Sequence, residues 1–311
     1  MLKYYKTEIT TKKILKIPAI EKDCWIDLVA PNADEIEEVC RATKIDADLI
    51  YKMLDDDELP RIESSGNATM IVIDVPIKEE DDDYVTNPVG IIVTENNFLV
   101  TISPKNATVL RDFRKSQIKN FRTAKKTRFL IQILNIAAME YLKVLDGVYR
   151  KIENKEETLK KSTRNEDLLD LLATQKTLVY FTSSLKENDL VLEKLSHGIV
   201  LPLYEGDLDL LEDTQIENRQ AIDMAGMYRE ILSSMSETYA TIISNNLNNI
   251  MKFLAGITIV ISVPTIISSF MGMNVGFLGF ENDPLAVIWL TFISVIAMVV
   301  AALVMKKRGM L

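Results

Sequence analysis

The sequence predicts an α+β membrane protein, with an N-terminal α/β domain, long helices after it and two C-terminal transmembrane helices. Three observations predict this. Strand-like segments are confined to residues 1–120. Proline-free helical patterns run from Phe121 to Pro202 and from Asp207 to Pro264. Two charge-free apolar runs, Phe253–Met271 and Leu285–Met305, close the chain. Each run has about 20 residues, roughly 30 Å as a helix, which matches a bilayer core.

Within residues 1–120, Tyr4–Thr10, Trp25–Val29, Thr69–Ile77, Pro88–Thr94 and Phe98–Ser103 are rich in β-branched and aromatic residues and are expected to be strands. Asn96-Asn97 suggests a hairpin turn between the last two. Ala33–Thr43 and Asp46–Leu54 have helical apolar spacing, with Asn32 placed to cap the first. Helices are expected to cover at least one face of the sheet. Glu79-Glu80-Asp81-Asp82-Asp83 follows the third strand. Such a run is either a solvated turn or a loop offering carboxylate oxygen to a hard cation such as Mg2+, and both readings stay open.

Phe129–Lys161 is expected as one helix and Asn165–Ser196, stopped by Gly198, as its antiparallel return. From Asp207 a single helical pattern continues to Met271. Unbroken, it would hold about 65 residues and span nearly 100 Å, a lever long enough to leave the bilayer and reach far into the cytosol. Pro264 falls in its apolar part, where neighbouring helices can satisfy the carbonyl that proline frees.

The first apolar run carries Thr258, Ser262, Thr265 and Ser269 at intervals of four, three and four, which places four hydroxyls on one helical face. The same spacing reaches Met251 and Asn248 on one side and Gly272, beside Asn274, on the other. Small hydroxylated residues also let helices pack closely. A polar line that continues past both ends of the run is what a pore-lining helix needs. Two helices have no lumen, so several copies would have to assemble around an axis.

Composition narrows the choices. The formal charge is −9; residues after position 250 carry four cations and two anions, so the rest is near −11, which argues against nucleic acid as a partner. Cys24 and Cys40 have no metal-ligand spacing, and His197 is the only histidine, so a His-based zinc site or a catalytic triad is not indicated. Neither a P-loop nor a nucleophile and base constellation is present, and no enzyme is expected. The start, Met1 to Glu8, is too polar for a secretory signal core. Lys252 precedes the first run and Lys306-Lys307-Arg308 follows the second, while the connecting loop has Glu281 and Asp283 but no cation. The positive-inside bias therefore places both termini in the cytoplasm of a multi-pass protein of the cell membrane.

Gly272-Met273-Asn274, at the outer end of the first of two C-terminal membrane helices and after a large acidic domain, resembles the motif of the CorA family of magnesium and cobalt channels. That family often has Tyr before the motif, where this chain has Met271. The resemblance implies a homopentamer in the lipid bilayer that conducts Mg2+, and Co2+ besides, down the membrane potential under control of intracellular Mg2+. It divides the chain into an α/β domain (1–120), helical arms (121–206), a stalk helix (207–252), a pore helix (253–271), an external loop (272–284), a second transmembrane helix (285–305) and a basic tail (306–311). It makes Gly272, Met273 and Asn274 the selectivity filter, with Asn274 supplying an oxygen to a hydrated ion, Gly272 permitting the close turn that aims it, and Met273 packing. Thr258, Ser262, Thr265 and Ser269 line the pore. Asn248, Met251 and Leu254 form the gate, where bulky apolar groups can close by dewetting. Asp213 is implied as a regulatory Mg2+ ligand, with Glu79, Glu80 and Asp81 as the candidate partner acids; read by itself, Asp213 is an exposed helix-surface acid. Two other readings stand beside this one: a zinc transporter of the same superfamily, and a membrane-anchored coiled-coil scaffold.

Overall fold

The structure, a computed structural model, describes residues 1–8, 13–78, 84–96, 98–161, 165–198, 200–273 and 285–310, without the side chains of 157–161, 165–168, 271, 286 and 287. The chain divides into two compact units, Met1–Met235 and Ser236–Leu311.

The first unit is built on a seven-stranded sheet: β1 (Leu2–Thr7), β2 (Ile14–Ile17), β3 (Trp25–Val29), β4 (Arg61–Ser65), β5 (Ala68–Lys78), β6 (Tyr84–Thr94) and β7 (Leu99–Ser103). The order is β2-β1-β3-β7-β6-β5-β4, and only the central β3 and β7 run parallel. The five expected strands are all present, the first as Leu2–Thr7 rather than Tyr4–Thr10. β2 and β4 were not expected. They are the two edges of the sheet, where half-exposed residues such as Arg61-Ile62-Glu63 blur the apolar alternation that marks a strand. The β6–β7 hairpin is closed by Thr94, whose N–H donates to the Phe98 carbonyl at 3.0 Å; Asn97 lies outside the described residues.

Alternation along the strands makes two cores, and helices cover both faces. Ile26, Leu28, Met70, Val72 and Val100 pack under α1 (Ala33–Thr43) and α2 (Ala47–Lys52). Trp25, Ile71, Ile73, Val75, Ile91 and Leu99 pack under α4 (Lys126–Lys161) and α5 (Asn165–Ser196), after a 3₁₀ turn, Thr108–Leu110, and the short α3 (Arg111–Arg114). Asn32 caps α1 as expected: its side chain accepts from Glu35 N–H at 2.8 Å, and Glu35 returns an acceptor to Asn32 N–H at 3.1 Å. Trp25 anchors the second core against Tyr5, Phe113, Phe121 and Phe129. Its indole N–H donates to Thr101 Oγ1 at 2.8 Å, and that hydroxyl donates to Asp27 at 3.0 Å. Arg114 completes the chain with bonds of 2.8 and 3.1 Å to the buried Asp27 carboxylate, so the charge is paired.

α6 (Glu205–Met271) is continuous through Pro264, as its sequence pattern predicted, and α7 (Ala286–Lys307) follows. In the first unit α6 buries Leu211, Thr214, Asn218, Ala221, Ala225, Tyr228 and Leu232, a spacing of alternating three and four that keeps one face inward. Its start is held by Arg128, which donates to the Gly206 carbonyl at 2.9 Å and the Asp207 carboxylate at 3.1 Å. Further along, Asn218 Nδ2 donates to the Leu185 carbonyl of α5 at 3.0 Å.

Candidate functional site

The hydroxyl stripe lies wholly in the second unit. Thr258, Thr265 and Ser269 are exposed and Ser262 is half-buried. Gly256 is buried and Val260, Val263, Pro264 and Ile267 are half-buried; the stripe sits two residues away from these, about 200° around the helix. Pro264, Ile267 and Ser268 face Leu290, Thr291, Ser294, Val295 and Met298 of α7 across a cleft of about 480 Å³. The stripe is therefore turned away from the side of α6 that meets α7, and packing within the hairpin does not account for it.

Three of the four hydroxyl protons are committed to the helix itself. Thr258 Oγ1 donates to the Leu254 carbonyl at 2.8 Å, Ser262 Oγ to Thr258 at 2.7 Å, and Thr265 Oγ1 to Ile261 at 3.1 Å. Each back-bond uses the hydroxyl's one proton and leaves its oxygen lone pairs as the group's remaining capacity. Spacing alone shows where these hydroxyls are. Their remaining acceptor capacity depends on the rotamers, for which only the Ser and Thr identities gave a hint.

On the N-terminal side of the stripe, Asn248, Met251 and Leu254 are all exposed in the single chain. At the other end, Gly272 N–H donates to the Ser268 carbonyl at 3.0 Å and Met273 N–H to Phe270 at 3.4 Å, closing the last turn. Gly272 does not have a left-handed φ, and a Cβ there would meet only the Ser268 and Ser269 carbonyls at 3.5 and 3.6 Å, both ordinary contacts. Among the described residues, then, neither backbone conformation nor a neighbour in the same copy requires glycine at 272. Asn274, and Glu79, Glu80 and Asp81, lie outside the described residues.

Residues 21–307 match the family described as CorA-like Mg2+ transporter protein. This chain belongs to that family. Over 295 residues it is 28% identical to the cobalt/magnesium transport protein CorA of Methanocaldococcus jannaschii, covering 92% of this chain and 90% of that one. The complete structure of the CorA magnesium transporter from the same organism matches with a TM-score of 0.82 at 26% identity, over 99% of this chain and 96% of the other. Two more distant structures share the fold at 12% identity. They are full-length CmaX, with a TM-score of 0.73 over 99% and 97% of the two chains, and the ZntB cytoplasmic domain from Vibrio parahaemolyticus, with 0.60 over 79% and 97%. The family is one of transporters, and the two long apolar helices of this chain, in α6 and at Ile288–Lys307, fit a membrane protein.

Against the CorA layout, Asp213 sits in the first unit, exposed on the flank of α6 between the buried Leu211 and Thr214. Among the described residues, no three acidic, histidine or cysteine side chains converge to hold a metal ion.

Proposed function

We propose that this chain forms a homopentamer in the cell membrane, with both termini cytoplasmic, and conducts hydrated Mg2+, with Co2+ as a second substrate, down the membrane potential. The observation that carries this is the outward-turned hydroxyl stripe, in which the protons of Thr258, Ser262 and Thr265 are bonded back to α6. Mg2+ gives up its water reluctantly. A hydrated cation presents the hydrogens of its water shell, so what it needs from a wall is acceptors. Hydroxyl oxygens supply them without the full negative charge that would hold the ion too long.

In this reading the copies place Thr258, Ser262, Thr265 and Ser269 around an axis, with Asn274 as the ring of oxygens at the external mouth beside Gly272 and Met273. Asn248, Met251 and Leu254 form the inner constriction. Among the described residues of one copy nothing demands glycine at 272, which supports the assembly, where the close approach that excludes a side chain comes from neighbouring copies. Trp289 near the start of α7, and Lys306, Lys307 and Arg308 at its end, suit external and cytoplasmic headgroup levels respectively. An inside-negative potential of about 100 mV favours entry of a divalent ion by about 4.6 kcal/mol, so no chemical fuel is required.

The test is flux into vesicles holding purified protein, with Mg2+, Co2+ and Zn2+ offered in turn. Mg2+ and Co2+ are expected to enter, and Asn274→Ala should slow them by about tenfold or more, as expected when an ordered polar contact to the permeant ion is lost. Zn2+ flux with no Mg2+ flux would reject the ion assignment, and no flux of any ion would leave the scaffold reading. Asp213 is assigned to the intracellular Mg2+ sensor, with Glu79, Glu80 and Asp81 as its candidate partner acids: Asp213→Asn should raise the internal Mg2+ needed to shut the flux off, and an unchanged inhibition curve rejects that role.

A further inference from the structure

α5 is fastened to β5 by an arrangement unlike ordinary apolar packing. β4 pairs with β5 only as far as Val72, so Asp74 lies beyond the end of its neighbour. Asn188 of α5 takes the place of the missing strand: its Oδ1 accepts from Asp74 N–H at 2.9 Å and its Nδ2 donates to the Asp74 carbonyl at 2.8 Å. One turn earlier, Ser184 Oγ donates to the Asp74 carboxylate at 2.5 Å. Asp74, Ser184 and Asn188 are all buried.

The carboxyl group has the wrong surroundings for a permanent charge. Among the described residues no cation pairs with it and one hydroxyl is its only side-chain donor. Glu187 of α5 adds a like charge. From α4 comes Tyr141, fully buried, whose hydroxyl interacts with both Ser184 and the Asp74 carboxyl. From β6 the facing residue is Pro88, which cannot titrate. From α6, Asn218 bonds the Leu185 carbonyl and Arg219 lies 3.9 Å from Asp189. An isolated buried carboxylate is costly unless it is paired, and binding a proton removes that cost.

We propose that Asp74 is a proton-binding site that sets how firmly α5 is held on the sheet. With the proton bound, the dock is neutral and tight; with it released, a desolvated charge sits under α5 and the dock loosens. Because α6 is bonded to Leu185, the residue next to Ser184, proton occupancy at Asp74 also reaches the attachment of α6. The assignment holds whichever ion the chain carries.

Burial first, and then Glu187, pushes the Asp74 carboxyl up to about 6, above its ordinary value, with the Ser184 hydrogen bond opposing. For an acid with a raised folded-state pKa, the stabilisation is complete below the unfolded value of about 3.9 and is lost as the pH rises through the folded value. The window is thus roughly pH 4 to 7.

The experiment compares full-length wild type with Asp74→Asn, in detergent, by thermal melting and by hydrogen exchange across α5 at a series of pH values. Asn is isosteric and still accepts from Ser184. Wild type is expected to melt progressively below Asp74→Asn as the pH rises from about 5 to 7, with α5 amides near 184–196 exchanging faster in wild type than in the variant over the same range. Parallel curves overturn the proposal. If Asp74→Asn fails to fold, Ser184→Ala decides. Removing the donor that favours the ionised form should move the wild-type midpoint to higher pH, whereas a midpoint that stays in place overturns the assignment.

Discussion

Gly90 on β6 shows how closely one residue can be specified. A Cβ added there would lie 2.1 Å from Met53 Sδ, 2.6 Å from Cγ and 2.9 Å from Cβ, and Met53 is itself fully buried. The methionine cannot answer by moving only its flexible tip, because its Cβ is also too near. Gly90→Ala should therefore cost about 1–3 kcal/mol, the usual penalty for forcing an extra methyl into a filled core. A lower melting temperature is the expected result; an unchanged melt would mean the sheet relaxes here at no cost. Nothing in the local sequence Asn87-Pro88-Val89-Gly90 signals this contact, since Met53 comes from a separate element 37 positions earlier.

At the scale of elements, what was legible followed from local chemistry, and what was missed followed from long-range pairing. The bounds of α1 were readable because Asn32 and Glu35 act within one turn. The hydroxyl stripe of α6 was readable because helical periodicity converts spacing into a face. The edge strands β2 and β4 were not, and neither was the Asn188 clamp on Asp74, whose partners are 114 residues apart. Helix α4 gives an element-scale prediction. Gly147 lies in its interior, exposed, and a Cβ there would have nothing within 4 Å. Glycine in a helix interior costs about 1 kcal/mol relative to alanine through backbone entropy. Gly147→Ala should thus raise stability by about that amount. Measured by chemical or thermal unfolding, a loss of stability would show that another copy or ligand approaches the backbone at this point.

For the whole molecule the question is what covers the second unit. Met251, Phe253, Leu254, Ile261, Ile266 and Phe270 on α6 and most of α7 are exposed, so the hairpin buries little of its apolar surface by itself. Lipid can cover aliphatic side chains at no cost, but hydroxyl oxygens with free lone pairs gain nothing from acyl chains. Assembly resolves both needs if Thr265 faces an axis while its neighbour Ile266, about 100° around the helix, faces outward. A cysteine at each position separates the alternatives. In a background with Cys24→Ala and Cys40→Ser, Thr265→Cys brings thiols from several copies around one narrow axis, and oxidation in membranes should give covalent dimers on a denaturing gel. Ile266→Cys should give far fewer, because its side chains point away from that axis. Equal yields from the two, or dimers from Ile266→Cys alone, would mean that the stripe faces lipid or α7 of another copy and that the ion path lies elsewhere.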